Sequence, residues 1–212
     1  MTKKCNLPKI LLDCDVIIHF IKAGKQLLLP KIYPNEMVIL DKVKSELDKR
    51  KKNIVSINNF IAYAKIEVVK MPNDLSIIKE YSTLKKSKGE GEAACMAVAR
   101  FSKDYIASSN LSDIASYCKQ HEIKYLTTMD ILLEANNLGL MSEQDCNDFI
   151  KEVKDKDSKL IKGIETIEDY KKYLKKYYKI FGYLIQLPYI CVVVQLLINA
   201  PIILNFYVKK KN

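Results

Sequence analysis

The stretch from Lys9 to Phe20, KILLDCDVIIHF, decides the fold. Its apolar run Ile10–Leu12 is short and ends in an acid, which predicts a buried strand. Asp13 and Asp15 follow this strand, and Asp15 is placed to cap a helix over the next apolar residues. A buried strand that leads through acids into a helix is a typical opening unit of an α/β fold.

The same pattern returns along the chain. The segment MVILDKVKSELDKRKK predicts a strand at Met37–Leu40 and a helix opened by Asp41. Further strands are predicted at Ile66–Val69, Tyr105–Ala107 and Lys124–Leu126, with helices between them. Strands that alternate with helices at these spacings predict an α/β fold with a parallel sheet.

Polar residues gather at one predicted edge of this sheet. In open parallel sheets, ligands bind outside the carboxyl ends of the strands. The residues expected near that edge follow a strand or open a helix: Asp13, Glu46, Glu90, Glu92, Asn110 and Asp113. Segments that are far apart in the chain would therefore meet at one place.

A cluster of carboxylates with no histidine nearby is typical of a site for Mg²⁺ or Mn²⁺, which prefer oxygen ligands. Without a cation, the carboxylates would repel one another and raise each other's pKa. The alternative is that each acid acts alone, as a helix cap, a solvated side chain or a favourable charge at a helix N-terminus. For Glu90, in the turn before the small-residue run, we favour that alternative.

Composition argues against several other classes of function. The six cysteines include no CxxC pair, which argues against a zinc site or a disulfide framework and for a reducing cytosol. His19 and His121 have no evident nucleophile beside them, so both are expected to be structural. The net charge of +10 divides into +3 for residues 1–150 and +7 for residues 151–212. Charge alone is therefore weak support for nucleic-acid binding by residues 1–150.

Taken together, these segments resemble the PIN-domain nucleases. The resemblance covers roughly Pro8 to Ile150 and rests on the order of five segments: ILLDCDVIIHF, DKVKSELDK, GEGEAACMAVA, YIASSNLSDI and IKYLTTMDILLEANNLGLMSE. It implies a three-layer α/β/α fold with a central parallel sheet. It also implies a metal-dependent ribonuclease, often found as the VapC-like toxin of a toxin–antitoxin pair.

The resemblance also implies roles for single residues. Asp13 matches the first catalytic acid, Glu46 the second and Glu92 the third. Asn110 stands in the fourth slot, where many members carry aspartate, and Asp113 is expected to supply the charge one turn later. The implied catalytic set is Asp13, Glu46, Glu92 and Asp113. The implied metal ligands are Asp13, Glu92, Asn110 and Asp113.

Two functions follow from these residues. The favoured one is Mg²⁺- or Mn²⁺-dependent cleavage of RNA phosphodiesters. The alternative is a catalytically weak PIN-like scaffold that binds RNA or a partner protein, which the asparagine at position 110 favours. Candidate partners are RNA, an antitoxin protein and a second copy of the chain in a homodimer, and the expected location is the cytoplasm.

The C-terminal part of the chain differs from the rest. After a PIN-like domain at residues 1–150, we expect a basic helical extension at residues 151–180 and an apolar tail at residues 181–212. Residues 181–208 carry no charge and lysines flank both ends, so the run is long enough to span a bilayer. Three interpretations stay open: a membrane anchor, a hydrophobic surface for a partner or for self-association, and an extension from a shifted or lost stop codon.

Overall fold

A computed structural model describes residues 7–156, 158 and 160–181. Its centre is a five-stranded parallel sheet with the strand order β3-β2-β1-β4-β5. The strands are β1 (Ile10–Leu12), β2 (Met37–Leu40), β3 (Glu67–Val69), β4 (Tyr105–Ala107) and β5 (Tyr125–Leu126). The predicted α/β fold with a parallel sheet is confirmed.

Helices connect and cover these strands. They are α1 (Cys14–Lys22), α2 (Leu29–Ile32), α3 (Asp41–Asp48), α4 (Ile54–Tyr63), α5 (Leu75–Leu84), α6 (Glu90–Ser102), α7 (Leu111–Gln120), α8 (Thr128–Asn137), α9 (Glu143–Asp155) and α10 (Ile167–Phe181). Parallel strands need crossover connections of this kind, because a tight turn cannot join them.

Strand β1 lies in the middle of the sheet. It pairs with β2 on one side and β4 on the other, so that Leu11 lies opposite both Val38 and Ile106. Every residue of β1 and β2 is buried. Strands covered on both faces read as continuous apolar runs, which is why the sequence located them closely. The main chain of Asp13 extends the ladder, since its N–H donates to the carbonyl of Ala107 at 2.9 Å.

Helix α6 is buried along most of its length. Its residues from Gly91 to Ala99 are almost inaccessible to solvent. A helix that is apolar on all sides is expected in a core, and the small residues allow close approach of its neighbours. Helix α6 packs against α3, α5 and the central strands β1 and β2. This packing brings the first turn of α6 close to α3.

The compact unit that contains the sheet ends at Tyr170. Within it, the Tyr170 hydroxyl donates to the Asp130 carboxylate at 2.6 Å, and Asn147 accepts the backbone N–H of Ile167 at 2.9 Å. Helix α9 runs across residue 150, and the predicted division into three segments stays a prediction.

The predicted apolar tail at residues 181–212 lies outside the described residues except for Phe181. Among residues 7–181, with 157 and 159 excepted, we find no helix that is both long and apolar enough to cross a bilayer.

Candidate active site

Asp13 lies where β1 ends and α1 begins. Its backbone is extended, with φ −88° and ψ 163°, and its carboxylate accepts the N–H of Cys14 at 2.7 Å. Asp13 is therefore the cap of α1, and the prediction that Asp15 caps this helix is wrong. Asp15 already lies in the first turn, because Asp13 is the last extended residue and the helix begins at Cys14.

The Asp15 carboxylate connects α1 to the loop after β4. One oxygen accepts the N–H of Val16 at 2.6 Å, and the other accepts the N–H of Ser109 at 2.7 Å. Burial raises the pKa of Asp15, and these hydrogen bonds oppose the rise. Burial also raises the pKa of Asp13 well above its ordinary value, and the charges of Asp15 and Glu92 raise it further.

Glu92 lies in the first turn of α6 and is only 7 % exposed. Burial, followed by the charge of Asp113, raises its pKa to about 7. Lys88 and a hydrogen bond from Asn110 oppose this rise. A glutamate with a pKa near 7 is easily shifted between its two protonation states by any cation that approaches it.

Asn110 bridges two acids at the N-terminus of α7. Its side-chain N–H₂ donates to Glu92 at 3.0 Å and to Asp113 at 2.6 Å, while its carbonyl oxygen accepts the Ser112 hydroxyl at 2.9 Å. Lys88 pairs with the other oxygen of Asp113 at 2.5 Å. That bond, more than any other contact, lowers the pKa of Asp113. Asp113 is half-exposed and belongs to the rim of the cluster.

Glu46 lies beside the glycines of the GEGE turn. A Cβ added at Gly89 would lie 3.1 Å from the Glu46 carboxylate, and one at Gly91 would lie 2.9 Å from it. The glycines therefore make room for Glu46. The thiol of Cys14 donates to Glu46 at 3.4 Å, and burial, with the charges of Asp13 and Glu46, raises the pKa of that thiol.

Glu90 points away from this cluster. It pairs with Lys85 at 3.1 Å and Lys49 at 3.7 Å, and 40 % of its side chain is exposed. The hydrogen bond from Lys85 and the nearby lysine charges lower its pKa. Glu90 and Glu92 are two residues apart and face different surroundings, one solvated and paired, the other buried.

Most of the chain matches a known protein family. Residues 9–164 match a family model described as PIN domain. The chain belongs to the PIN-domain family. No curated protein matches the chain. PIN domains are in general nucleases and typically use divalent metals, which at a coarse level places the chain among the hydrolases.

Two side chains of this PIN domain, Asp13 and Glu92, are suitable ligands for a hard divalent cation. Asp13 and Glu92 are buried carboxylates with raised pKa values, and neither forms an ion pair with a described lysine or arginine. In the described part of the chain, no group of three or more acids, histidines or cysteines is close enough to hold a metal by itself. Mg²⁺ is usually held by one or two carboxylates and keeps several waters, so two carboxylates are an adequate set.

The fourth slot of the PIN domain fits less well. Asn110 turns its N–H₂ toward both acids, which is the opposite polarity to that of a metal ligand. Asp113 is engaged by Lys88. For Asn110 to serve as a ligand, its amide would have to rotate and present its oxygen to the cation.

Several polar residues that hold this site together were not predicted from the sequence. Lys88 neutralises Asp113, and the Ser109 main chain binds Asp15. The side chains of Ser109 and Thr128 are joined at 2.8 Å, and Thr128 also contacts His19. The available signal was the position of the SSN and TT runs directly after β4 and β5, at the edge of the sheet where ligands bind.

Proposed function

We propose that this PIN domain is a metal-dependent endoribonuclease that cleaves RNA phosphodiesters with Mg²⁺ or Mn²⁺. The observation that supports this best is the burial of two carboxylates from separate elements of the fold. Asp13 and Glu92 come from separate elements, each is less than a tenth exposed, and the charge of Glu92 raises the pKa of Asp13. Burying like charges together destabilises a protein unless a cation offsets them.

In this proposal, Asp13 and Glu92 hold the cation. Once bound, a divalent metal lowers the pKa of its water and offsets charge on the scissile phosphodiester. The Ser109 N–H fixes Asp15 beside this pair, where its negative charge favours cation binding. Glu46 lies next to Cys14, the residue after Asp13, and assists from the side of α3. Asn110 orients the Glu92 carboxylate through its N–H₂.

We further propose that the protein acts as the toxin of a toxin–antitoxin pair. Its partners would be RNA as substrate, an antitoxin protein that restrains it and a second copy of the chain. The support for this finer assignment is that PIN-domain nucleases, which the five sequence segments resemble, are often VapC-like toxins. The proposed site of action is the cytoplasm.

A catalytically weak scaffold that binds RNA or protein is the second candidate function. The bonds around Asn110 favour it, because the amide N–H₂ and Lys88 already satisfy oxygens of Glu92 and Asp113 without a cation. In such a protein the same cluster of side chains would stay folded in the absence of metal. The loss of one carboxylate would leave the binding of RNA or protein intact.

A cleavage assay separates the two candidates. Full-length protein is incubated with end-labelled RNA in Mn²⁺, in Mg²⁺ and in EDTA. The nuclease proposal expects cleavage that EDTA stops, that Asp13→Asn and Glu92→Gln abolish, and that Glu90→Gln retains. Glu90→Gln is the matched control, because Glu90 begins the same helix but pairs with lysines at the surface. RNA binding with no cleavage in any of the metals would favour the scaffold.

A further inference from the structure

A chain of hydrogen bonds runs from the partly buried Asp15 to the buried His19. The Ser109 N–H donates to Asp15 at 2.7 Å, and the Ser109 hydroxyl donates to the Thr128 hydroxyl at 2.8 Å. The Thr128 hydroxyl lies 2.8 Å from Nδ1 of His19. The Thr128 N–H donates back to the Ser109 hydroxyl at 2.9 Å, so Ser109 and Thr128 are joined twice.

The direction of this chain follows from the number of hydrogens available. A hydroxyl group has one hydrogen to donate and two lone pairs. Thr128 accepts the Ser109 hydrogen, so its own hydrogen is free to donate to Nδ1 of His19. This arrangement needs a neutral imidazole with a lone pair on Nδ1. The surroundings favour that form, because burial, followed by the charge of Lys22, lowers the pKa of His19 to about 4.

The chain connects three elements that the sheet brings together. His19 is in α1, Ser109 is in the loop after β4, and Thr128 is the first residue of α8. His19 and Thr128 are almost fully buried, at 3 % and 0 % exposure. Buried polar groups that satisfy one another favour a single arrangement of their elements, because every alternative leaves one of them without a partner.

We propose that His19 and Thr128 are positioning residues of the site, which hold the Ser109 main chain so that its N–H stays on Asp15. This inference rests on the proposed nuclease function. Neither residue reaches the carboxylates itself. Their effect passes through Ser109, which fixes Asp15 next to Asp13 and leads directly into Asn110. Hydrogen bonds of this outer kind orient the ligands of metal sites, and their loss typically weakens metal affinity or activity about 10–100-fold.

A purely packing role predicts a different outcome. If Thr128 and His19 only fill space, side chains of the same shape without the polar atoms should serve the site as well. Thr128→Val keeps the shape and removes the hydroxyl, whereas Thr128→Ser keeps the hydroxyl and removes a methyl group. His19→Asn keeps an acceptor at the position of Nδ1, whereas His19→Leu does not. His121→Asn is the matched control, because that histidine caps the end of α7 and contacts the Tyr117 ring at a tilt of 60°.

The test uses full-length protein and three measurements on each variant: Mn²⁺ affinity by titration calorimetry, kcat and KM for RNA cleavage, and exchange of the Ser109 amide hydrogen by NMR. We expect Thr128→Val and His19→Leu to bind Mn²⁺ at least about 10-fold more weakly. We also expect them to lower kcat with little change in KM and to exchange the Ser109 amide faster. Thr128→Ser, His19→Asn and His121→Asn should stay close to wild type.

The outcomes separate this inference from the proposed function. A wild type that binds Mn²⁺ and cleaves RNA, with a Thr128→Val variant that does both equally well, overturns the positioning role. A wild type that neither binds Mn²⁺ nor cleaves RNA rejects the proposed function instead. In that case the exchange rate of the Ser109 amide hydrogen tests the positioning role. Faster exchange in Thr128→Val, with a wild-type rate in Thr128→Ser, supports the positioning of Asp15. An unchanged rate in Thr128→Val overturns it.

Discussion

Replacing Gly91 with alanine tests how closely α6 must approach α3. A Cβ at position 91 would lie 2.9 Å from the Glu46 carboxylate and 3.1 Å from both Cα and Cγ2 of Val43. Carbon atoms in good contact lie about 3.5–4.0 Å apart. The Glu46 carboxylate can rotate away, but the Val43 backbone cannot, so α3 must retreat by a few tenths of an ångström.

The expected cost follows from two opposed effects. Overpacking of a filled core typically costs about 1–3 kcal/mol. Alanine recovers up to roughly 1 kcal/mol relative to glycine within a helix, and less in its first turn. We therefore expect Gly91→Ala to lower the free energy of unfolding by about 1–2 kcal/mol. For a domain of this size, that loss corresponds to roughly 2–8 °C in Tm.

Urea denaturation followed by circular dichroism measures this difference. The matched control is Gly89→Ser, whose added Cβ has the flexible Glu46 carboxylate as its nearest neighbour. Serine is also a favourable residue at this helix cap, so the control should lie within about 0.5 kcal/mol of wild type. A Gly91→Ala variant as stable as Gly89→Ser would refute the argument that the glycine is required by contact with Val43.

Three further outcomes are expected. Without metal at pH 8, Asp13→Asn and Glu92→Gln should each raise or keep Tm, because raised pKa values make the ionised acids unfavourable there. Both variants should also lose the Mn²⁺-dependent rise in Tm that we expect for wild type. Burial lowers the pKa of His19 from 6.5 to about 4, so its contribution to stability is complete above pH 6.5 and is lost as the pH falls toward 4. In urea titrations, the free energy of unfolding should therefore fall by about 3 kcal/mol more in wild type than in His19→Asn between pH 7.5 and pH 4. Tyr170→Phe removes the hydrogen bond to the partly buried Asp130 carboxylate of α8 and should cost about 1–3 kcal/mol in urea denaturation. Tyr63→Phe, at an exposed position, should cost nothing measurable.

The centre of the sheet could be predicted from the sequence because strands β1 and β2 are covered on both faces. Buried strands such as Met37–Leu40 and Tyr105–Ala107 are continuous apolar or small-residue runs followed by polar residues, so their bounds were predicted correctly. The short helix α2 escaped prediction, because it is one turn long and contains Pro30. The cap of α1 was assigned to the wrong acid, since a D-x-D sequence does not reveal which aspartate still belongs to the sheet ladder.

The site was harder to predict than the fold, because its contacts cross between distant segments. The sequence indicated that Glu90 and Glu92 differ, but the reason for the flanking glycines is Glu46, which lies more than forty residues earlier. The two hydrogen bonds between Ser109 and Thr128 likewise depend on the pairing of β4 with β5 in the sheet. Pattern and spacing predict which residues reach an edge, and only the packed chain determines which atoms meet there.

The central position of β1 also has a consequence for synthesis of the protein on the ribosome. Residues 10–12 pair with residues 105–107, so a nascent chain that has reached only residue 100 carries β1 with one side unpaired. Asp13 cannot pair with Ala107, and Asp15 cannot meet Ser109, until that later strand has emerged and docked. Pairings of such long sequence separation are intrinsically slow to form. The hydrogen bond that fixes Asp15 beside the proposed metal site would thus form only after the ribosome has finished most of the domain.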